Sequence, residues 1–453
     1  MADMWYSNEQ KLIFKQTNND RYPHKKMKLK ALIATAIFTG FVATGYSVGP
    51  TINWRSIPQN THAGSVIFPI AQVIPGTNAV ANLTIEYNYN GGSWSTLIYT
   101  TSFNANPATG ASYTGGGCYM GTTGTFNIRA TVVDSSSASY SQTASIPVNS
   151  SYNGQPSLLA AAQDAGSPNY YGPYNYGAAW MYNGGHRVWW TGKYPSNGDC
   201  ILTSFSSGGP PGTTAPSIAV SSSSYSNRLI SNPSVLKQTI TYGGNTYSYV
   251  MYVTESDGTN NGIGISFYDS TTGWTTPVHI LDTDFTAGDF FGIPSVVKRG
   301  STWCMFTNDR GAYTDSGSIV LGYRESSDGI NWPSSRSVTV TTSGMSPAPN
   351  DISANGANVV FTHRGSEWFA VFTATYTVYV YSKSDSVALN TGSWSLVTTV
   401  PSNVSFATKH NAGFWTDANG EMADATNIVF SFTGDNALGN LEDSQLFYVV
   451  YTP

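Results

Sequence analysis

Four acidic residues stand where predicted strands give way to turns, and they are the side chains best suited to acid–base chemistry. They are Glu255 in TESDG, Asp289 in AGDFFGIP, Asp309 in TNDRG and Asp351 in APNDIS. Two carboxylates about 6.5–9.5 Å apart, one protonated and one ionised, can activate water against a glycosidic bond. The aromatic neighbours of Asp289 favour a raised pKa for that carboxyl group. We predict these four acids as catalytic candidates; the alternative for Asp309 is a surface ion pair with the next residue.

A second set of polar and aromatic residues lies in neighbouring loops, and its chemistry suits a saccharide. Sugar rings stack their C–H faces on aromatic rings, while amides, guanidinium groups and imidazoles bind the hydroxyls. The predicted substrate-binding residues are Tyr174, Asn175, Asn232, Arg310, His410 and Asn411. Alternatives remain open, because Tyr174 and its neighbouring tyrosines can instead pack a loop and His410 can cap a strand.

A segment with a period of about 60 residues must position these side chains. NPSVLK (Asn232–Lys237) returns as IPSVVK (Ile293–Lys298), and YVMYVTESDG (Tyr249–Gly258) returns as WCMFTNDRG (Trp303–Gly311). Each unit ends on a turn and a tryptophan that we interpret as a packing residue: Trp274, Trp332 and Trp394. A long repeat of strand-like runs and turns is typical of propeller blades, and residues 156–453 accommodate five of them.

Together these motifs resemble the five-bladed propeller glycosidases of the arabinanase, β-xylosidase and invertase type. The resemblance rests on PSVVK, a hairpin, an aromatic strand, T-x-D, and then S-x-D-G-x-x-W. It spans about 300 residues and is strongest over residues 228–395. It implies an all-β fold, a carbohydrate ligand, and carboxylates at the starts of the innermost strands that serve as base, pKa-tuning group and acid.

The chain departs from that pattern at the positions where the acids are expected. The first unit has Asn175 or Tyr176, the second has Asn232, and the third has Gly292 and Ile293. An amide cannot take up a proton as a carboxylate base does, so two hypotheses follow. The first is a glycoside hydrolase-like protein that takes its acids from the loops; the second is a non-catalytic carbohydrate-binding or surface-assembly propeller with Asn175 and Asn232 on the ligand.

The residues before the repeat predict two further parts. Residues 47–150 carry short alternating strands separated by Gly, Asn and Ser turns, which predicts an immunoglobulin-like β-sandwich serving as a spacer or as a binder. Residues 1–46 are an N-terminal extension that includes a signal peptide at residues 27–46, since several lysines precede the apolar run Ala31–Gly45. A secreted, extracellular or periplasmic protein is therefore expected, with an uncleaved anchor as the alternative.

Composition narrows the choice of partners. Only 10% of the 453 residues are charged and the net charge is −5, with the basic residues concentrated in the N-terminal extension. An acidic body favours a neutral carbohydrate over nucleic acid or an anionic membrane. No cofactor is expected, because the chain has no phosphate-binding loop, HExxH motif or nucleophile elbow. A structural calcium ion at Asp289 or Asp351 is conceivable, although no ligand spacing supports it.

Overall fold

The chain folds as β-strands joined by turns. A computed structural model describes residues 48–67, 69–101, 111–114, 118–160, 178–194, 198–212, 214, 216–221, 229–256, 261–282, 292–310, 320–349, 359–401, 408–435 and 445–453. For some residues at the ends of strands, among them Asp309, Arg310 and His410, it describes the backbone alone. All elements in these ranges are strands, so the predicted all-β class is confirmed. Residues 47–453 belong to one compact unit.

The strands before residue 150 form three sheets, and all three contribute side chains to one core. Their orders are β1-β4-β7, β2-β10-β9-β5-β6 and β3-β8. Alternate residues of β9 are buried, as expected for a strand with one face on a core. Trp54, Ile85 and Phe126 from the two larger sheets meet in that core. The strands are β1 (Thr51–Ser56), β2 (Thr61–His62), β3 (Val66–Ile67), β4 (Ile70–Ile74), β5 (Val80–Tyr89), β6 (Ser95–Thr100), β7 (Ala111–Thr114), β8 (Cys118–Tyr119), β9 (Gly124–Asp134) and β10 (Ser139–Asn149).

The segment that follows β10 is fastened at both ends. The Gln155 side chain donates to the carbonyl of Ala63 at 3.0 Å, in the turn after β2. The Asn153 amide donates to the carbonyl of Thr452 at 2.7 Å and accepts from its N–H at 2.9 Å. Tyr152 also packs edge-on against the ring of His62, with centroids 4.5 Å apart. The segment between β10 and the next strand is therefore held against both the early sheets and the C-terminal end of the chain.

His62 makes stability depend on pH. Its side chain is buried, and burial lowers the pKa of its imidazole from 6.5. Below pH 6.5 the unfolded chain takes up a proton that the folded chain resists, so stability falls as the pH falls. For one group the slope is at most about 1.4 kcal/mol per pH unit. We expect His62→Gln to flatten the dependence of the unfolding free energy on pH between pH 7 and pH 5, measured by urea denaturation; equal slopes in both proteins would contradict this.

The strands after residue 155 are grouped here into five sheets, numbered in chain order, of which the first and the last are hydrogen-bonded to each other in one eight-stranded sheet. Sheet 1 contains β12 (Ala179–Tyr182), β13 (His186–Tyr194), β14 (Gly198–Ser206) and β15 (Ser217–Ser221). Sheet 2 contains β16 (Leu229–Leu236), β19 (Tyr249–Ser256), β20 (Asn261–Asp269), β21 (Gly273–Trp274) and β22 (Val278–Asp282), with the small hairpin β17 (Ile240–Tyr242) and β18 (Asn245–Tyr247) beside it. Sheet 3 contains β23 (Gly292–Arg299), β24 (Thr302–Arg310), β25 (Val320–Ser326) and β26 (Val338–Val340). Sheet 4 contains β27 (Val360–Arg364), β28 (Glu367–Ala374), β29 (Thr377–Ser384) and β30 (Ser395–Val400). Sheet 5 contains β31 (Thr408–Thr416), β32 (Ile428–Asp435), β33 (Gln445–Tyr451) and β11 (Pro156–Ala160).

The five sheets close into a ring. The first strand of each sheet contacts the first strand of the next, and β31 of sheet 5 contacts β12 of sheet 1. Two parallel register pairs join these last two strands, Trp180 with Trp415 and Met181 with Thr416. Strand β11 precedes sheet 1 in the chain but pairs with β33, so the N-terminal end of this region completes the last sheet. The pairing between β12 and β31 covers one edge of sheet 1 and one edge of sheet 5.

Backbone N–H groups donate to side-chain hydroxyls between neighbouring sheets. The N–H of Asn232 donates to Thr191 Oγ1 at 3.1 Å, and the N–H of Ile293 donates to Thr254 Oγ1 at 2.8 Å. In the same way Val296 N–H donates to a serine of β16 and Phe361 N–H donates to a serine of β23, each at 3.1 Å. These bonds satisfy N–H groups where the first strands cannot pair with one another, which holds the ring together.

The repeated tryptophans and turns act as scaffold. Trp332 and Trp394 are buried, and Trp274 packs edge-on against Trp189.

In the turn before Trp332, burial alone would raise the pKa of Asp328. The hydrogen bonds from Asn331 and from the N–H of Ile330 outweigh it and lower that pKa to about 2. The Asp328 carboxylate therefore caps backbone N–H groups of this turn.

Candidate functional site

A narrow cavity of about 40 Å³ runs between the first strands of all five sheets. Its walls come from β12, β16, β23, β27 and β31, and the groups they supply are mostly small or apolar. The lining residues include Asn232, Ser234, Ile293, Ser295 and Thr416. A water molecule needs at least about 10–15 Å³, whereas drug-sized ligands occupy about 300–1,000 Å³. The cavity itself therefore has room for a few waters and not for a sugar ring.

Three first strands share an unusual backbone at the end where they begin. Asn232, Ile293 and Asn411 have φ values of +52°, +50° and +38°. Each lies at a register shift, where two residues of the first strand bulge away from its partner. Asn tolerates the left-handed region, but a β-branched residue there is a clear outlier. Strained backbone of this kind is concentrated at functional sites, so this end of the ring is the candidate functional site.

Relief of the strain at Ile293 should stabilise the protein. We expect Ile293→Asn to raise the free energy of unfolding by about 1 kcal/mol, because Asn enters the left-handed region more readily than a β-branched residue. Val360 lines the same cavity with an ordinary backbone, so Val360→Asn is a matched control that should destabilise the protein. Urea denaturation of both variants tests this; a loss of stability for Ile293→Asn similar to that of the control would contradict it.

A turn seals the opposite end of the cavity. This floor turn (residues 417–422) connects β31 to the strand after it and crosses beneath the ends of three first strands. Its carbonyls accept from Lys237 N–H at 3.0 Å, from Lys298 N–H at 2.8 Å and from Thr362 Oγ1 at 2.9 Å. The N–H of Met422 donates to the carbonyl of His363 at 3.0 Å. Access to the cavity from this side is closed.

Asn232 carries the clearest unsatisfied group of the cavity wall. The residue is 5% exposed and its Nδ2 donates weakly to hydroxyls of Ser231 and Thr254, at 3.3 and 3.4 Å. Its amide oxygen is buried and has no hydrogen-bond partner among the residues that the structure describes. A buried acceptor left without a donor costs about 1–3 kcal/mol. A donor from a ligand or a water would offset that cost.

Glu255 lies near the same end of the ring but away from the cavity wall. It is buried on β19, its Oε1 pairs with His279 Nδ1 on β22, and its Oε2 occupies the space above Gly264. Its side chain therefore lies on one face of sheet 2 and is not among the residues that line the cavity. Its predicted catalytic role stays a prediction.

The structure describes the other predicted site residues to different extents. Asp309 and Arg310 end β24, and His410 pairs with Thr433 in register on β31, but only their backbones are described. Asn411 follows His410, is buried, and forms part of the bulge that corresponds to Asn232. Tyr174, Asn175, Asp289 and Asp351 lie outside the described residues. The structure thus gathers Asn232 and Asn411 at one end of the ring and leaves the four predicted acids untested.

Lys409 is a buried cation beside this cluster that sequence inspection did not single out. It lies two residues before Asn411 and opposite Gly434, as Ile230 lies two residues before Asn232 and opposite Glu255. Ile230 belongs to an apolar core, whereas a lysine in the corresponding position is costly. Burial lowers the pKa of the Lys409 ammonium to about 7. Lysines of this kind are concentrated at functional sites.

Five buried threonines also went unnoticed, although the repeat contains a signal for them. They follow an aromatic residue or valine on the second strand of each sheet, in TGK, TES, TND, TAT and TGD, and are Thr191, Thr254, Thr307, Thr373 and Thr433. Thr191 and Thr254 accept from the bulges of the next sheet. Alignment of these short sequences would have revealed the ring of hydroxyls.

Metal and membrane features are not found in the described part of the chain. No group of three or more His, Cys, Asp or Glu side chains is placed there to hold a metal ion. Within the same ranges, no helix has the length and apolar character needed to cross a bilayer.

Comparison with known proteins gives distant similarities only. No family model and no curated protein matches the chain. Similar solved structures include one described as a complex of BT0996 and RGII and one described as "Glycoside hydrolase". They are 8% and 10% identical, each has a TM-score of 0.31, and each alignment covers 90% of this chain and 91% of the other protein's chain. A structure of murine CRIg is 8% identical with a TM-score of 0.17, covering 23% of this chain and 98% of the other. At such scores the similarities establish neither a fold family nor an activity.

Proposed function

We propose that this chain is a secreted glycan-active protein that binds a neutral saccharide where the five first strands begin. In this proposal residues 156–453 form a five-bladed β-propeller, residues 47–150 form an immunoglobulin-like sandwich, and residues 27–46 are a signal peptide. The closed ring of five sheets and the shared core of the earlier sheets support the two architectures. We refer to the end of the cavity next to the bulges as the mouth.

The observation that carries the proposal is the set of uncharged hydrogen-bonding groups at the mouth. Asn232 and Asn411 lie on left-handed bulges there, and the amide oxygen of Asn232 has no donor among the described residues. Hydroxyl-rich neutral ligands supply donors without the cost of desolvating a charge. The acidic body of the protein disfavours nucleic acid and other polyanions.

The hydrolase-like form of this function requires two carboxylates at the mouth. Asp289, Asp309 and Asp351 are the candidates, because each lies in or beside a segment that leads to this end of the ring. One would have to remain protonated and the other ionised, with about 6.5–9.5 Å between them for inversion. Glu255 is the remaining candidate, and its pairing with His279 makes it the weakest of the four.

A second candidate function is glycan binding without catalysis. It is favoured by the amide of Asn232 at a position where an acid is expected, and by the absence of any carboxylate among the residues that line the cavity in the described part of the chain. In that case the same mouth would bind the saccharide and release no product.

A polysaccharide screen with the full chain distinguishes these outcomes. Both bound protein and new reducing ends are measured for the parent protein, Asp289→Asn and Asp309→Asn. The hydrolase-like form predicts that at least one substitution abolishes release while binding remains. Glu325 is an exposed acid on sheet 3 near the floor turn, so Glu325→Gln is a matched control that should retain release. Binding without release in the parent protein would establish the second function, and no binding to any polysaccharide would refute both.

A further inference from the structure

His363 is a buried histidine with a carboxylate at each of its two ring nitrogens. Its side chain is 3% exposed and lies near the end of β27, beside the floor turn. Nδ1 lies 2.9 Å from Oε1 of Glu421 in the floor turn, and Nε2 lies 3.2 Å from Oδ2 of Asp385, directly after β29. An ionised carboxylate only accepts hydrogen bonds, so both contacts are hydrogen bonds when both ring nitrogens carry a proton. The arrangement is therefore complete in the imidazolium form alone.

Asp385 has a second cationic partner, whereas Glu421 has none in the part of the chain that the structure describes. The Nη2 group of Arg299 on β23 donates to the same Asp385 oxygen at 2.8 Å. The Glu421 side chain is 32% exposed and borders a surface basin of about 510 Å³. When the imidazole loses a proton, Glu421 is therefore the carboxylate that can turn away into water, and Asp385 stays with Arg299.

The titratable groups of the neighbouring strands are bonded to one another. Tyr323 and Glu325 on β25 and Cys304 on β24 line the same basin as His363. The Tyr323 hydroxyl lies 2.6 Å from Glu325 Oε1 and 3.2 Å from Cys304 Sγ. On β28 the uncharged ring of Trp368 packs edge-on against the imidazole, with centroids 4.8 Å apart. Glu421, Asp385 and Arg299 are thus the charged groups that bear directly on the imidazole among the described residues.

Backbone N–H groups of the floor turn lie close to this contact and can report on it. The N–H of Met422 donates to the His363 carbonyl at 3.0 Å, and the N–H of Glu421 donates to Asp417 Oδ1 at 3.0 Å. Burial raises the pKa of Asp417 from 3.8, and the nearby Glu421 charge acts in the same direction. The contact between His363 and Glu421 adds a side-chain tie to these backbone bonds.

We infer that His363 is a pH-dependent switch on the floor turn: as the imidazolium it bonds Glu421 and Asp385 together, and on losing a proton it releases Glu421 and loosens the turn. Imidazoles change charge between about pH 5 and 8, where ordinary carboxylates are already ionised. In the neutral ring the remaining N–H stays with Asp385, and the unprotonated nitrogen repels the carboxylate of Glu421. The switch acts on the seal beneath the cavity and does not depend on the proposed function.

Amide hydrogen exchange of the floor turn tests this inference in the full-length protein. Exchange is measured between about pH 5.5 and pH 8 and corrected for the intrinsic effect of pH on the rates. The protection of the Glu421 and Met422 amides should fall about 10-fold as the pH rises, the factor that corresponds to the loss of one charge-assisted hydrogen bond. Constant or rising protection would overturn the inference.

Two substitutions assign the pH dependence to this contact. His363→Gln donates to one carboxylate at every pH, so the protection of the floor turn should be lower at about pH 5.5 and should no longer fall with pH. Glu421→Gln removes the charge that the imidazolium holds on a partly exposed side chain, and it carries the test if His363→Gln does not fold. His62→Gln, in the early sheets, is the matched control and should retain the pH dependence of the parent protein. Any contribution of Asp417 would persist in His363→Gln, and a fall as large as that of the parent in either test variant would overturn the assignment.

Discussion

Replacement of Gly420 by alanine is expected to destabilise the protein strongly and to open the floor of the central cavity. Gly420 has φ +77°, and an added Cβ would lie 2.3 Å from the backbone oxygen of Val296. Backbone atoms cannot move aside as a flexible side chain does, so the floor turn must shift and its bonds to Lys298 and Thr362 must weaken. The left-handed backbone costs alanine about 1–2 kcal/mol, and the overlap adds about 1–3 kcal/mol.

Gly365 provides the control for this prediction. It has φ +61° in the turn between β27 and β28, and an added Cβ would meet nothing within 4 Å. Gly365→Ala therefore has the backbone cost without the overlap. Urea denaturation should give a larger loss for Gly420→Ala by about 1–3 kcal/mol. Equal losses of stability in the two variants would show that the floor turn is not in close contact with β23.

Replacement of Thr254 by valine is the second substitution with a large expected effect. Valine has the shape of threonine without its hydroxyl, so it removes the acceptor for the N–H of Ile293 at 2.8 Å. That N–H lies in a bulge, where the neighbouring sheet offers the acceptor that strand pairing does not. Loss of the acceptor should lower the free energy of unfolding by about 1–3 kcal/mol. The substitution should also relax the strained backbone at the mouth, because Thr254 Oγ1 accepts from the N–H of Ile293 and from the Asn232 amide.

A substitution at Thr373 tests whether the loss of stability in Thr254→Val comes from the missing acceptor or from the removal of any buried hydroxyl. It occupies the corresponding place on the second strand of sheet 4 and is also buried, but its hydroxyl has no partner among the described residues. Thr373→Val should therefore be close to neutral or stabilising, because it removes an unsatisfied buried group. Chemical denaturation of both variants checks the difference, and a larger loss at Thr373 would contradict the role given to Thr254.

Strand positions followed from local pattern wherever one face of a strand is buried. The alternation in Ala81–Asn90 predicts a strand that the structure places at Val80–Tyr89, and Tyr140–Val148 becomes Ser139–Asn149. The run Val66–Val73 predicts a single strand, whereas the structure has two, β3 and β4, with Pro69 between them. Proline has no N–H to give to a ladder, so the break is consistent with its chemistry.

The candidate site was only partly predictable. Asn232 drew attention because an amide stands where an acid was expected, but nothing local shows that its backbone is left-handed or that its oxygen lacks a donor. The acceptor for its N–H, Thr191, comes from the preceding sheet, 41 residues earlier in the chain. Such a partner becomes visible only when the sheets are arranged around a common axis.

The sequence by itself determined the all-β class, the repeat of about 60 residues and the exclusion of acids from the expected positions of the second and third units. These properties are local, because strand alternation, turn chemistry and residue identity are written in short segments. The tertiary structure alone decided that β11 completes the last sheet, that residues 417–422 seal the cavity, and that the Asn232 oxygen remains without a described donor. The physical reason is ring closure: it brings the ends of distant strands together, and each unpaired N–H and C=O must then find its partner in another sheet.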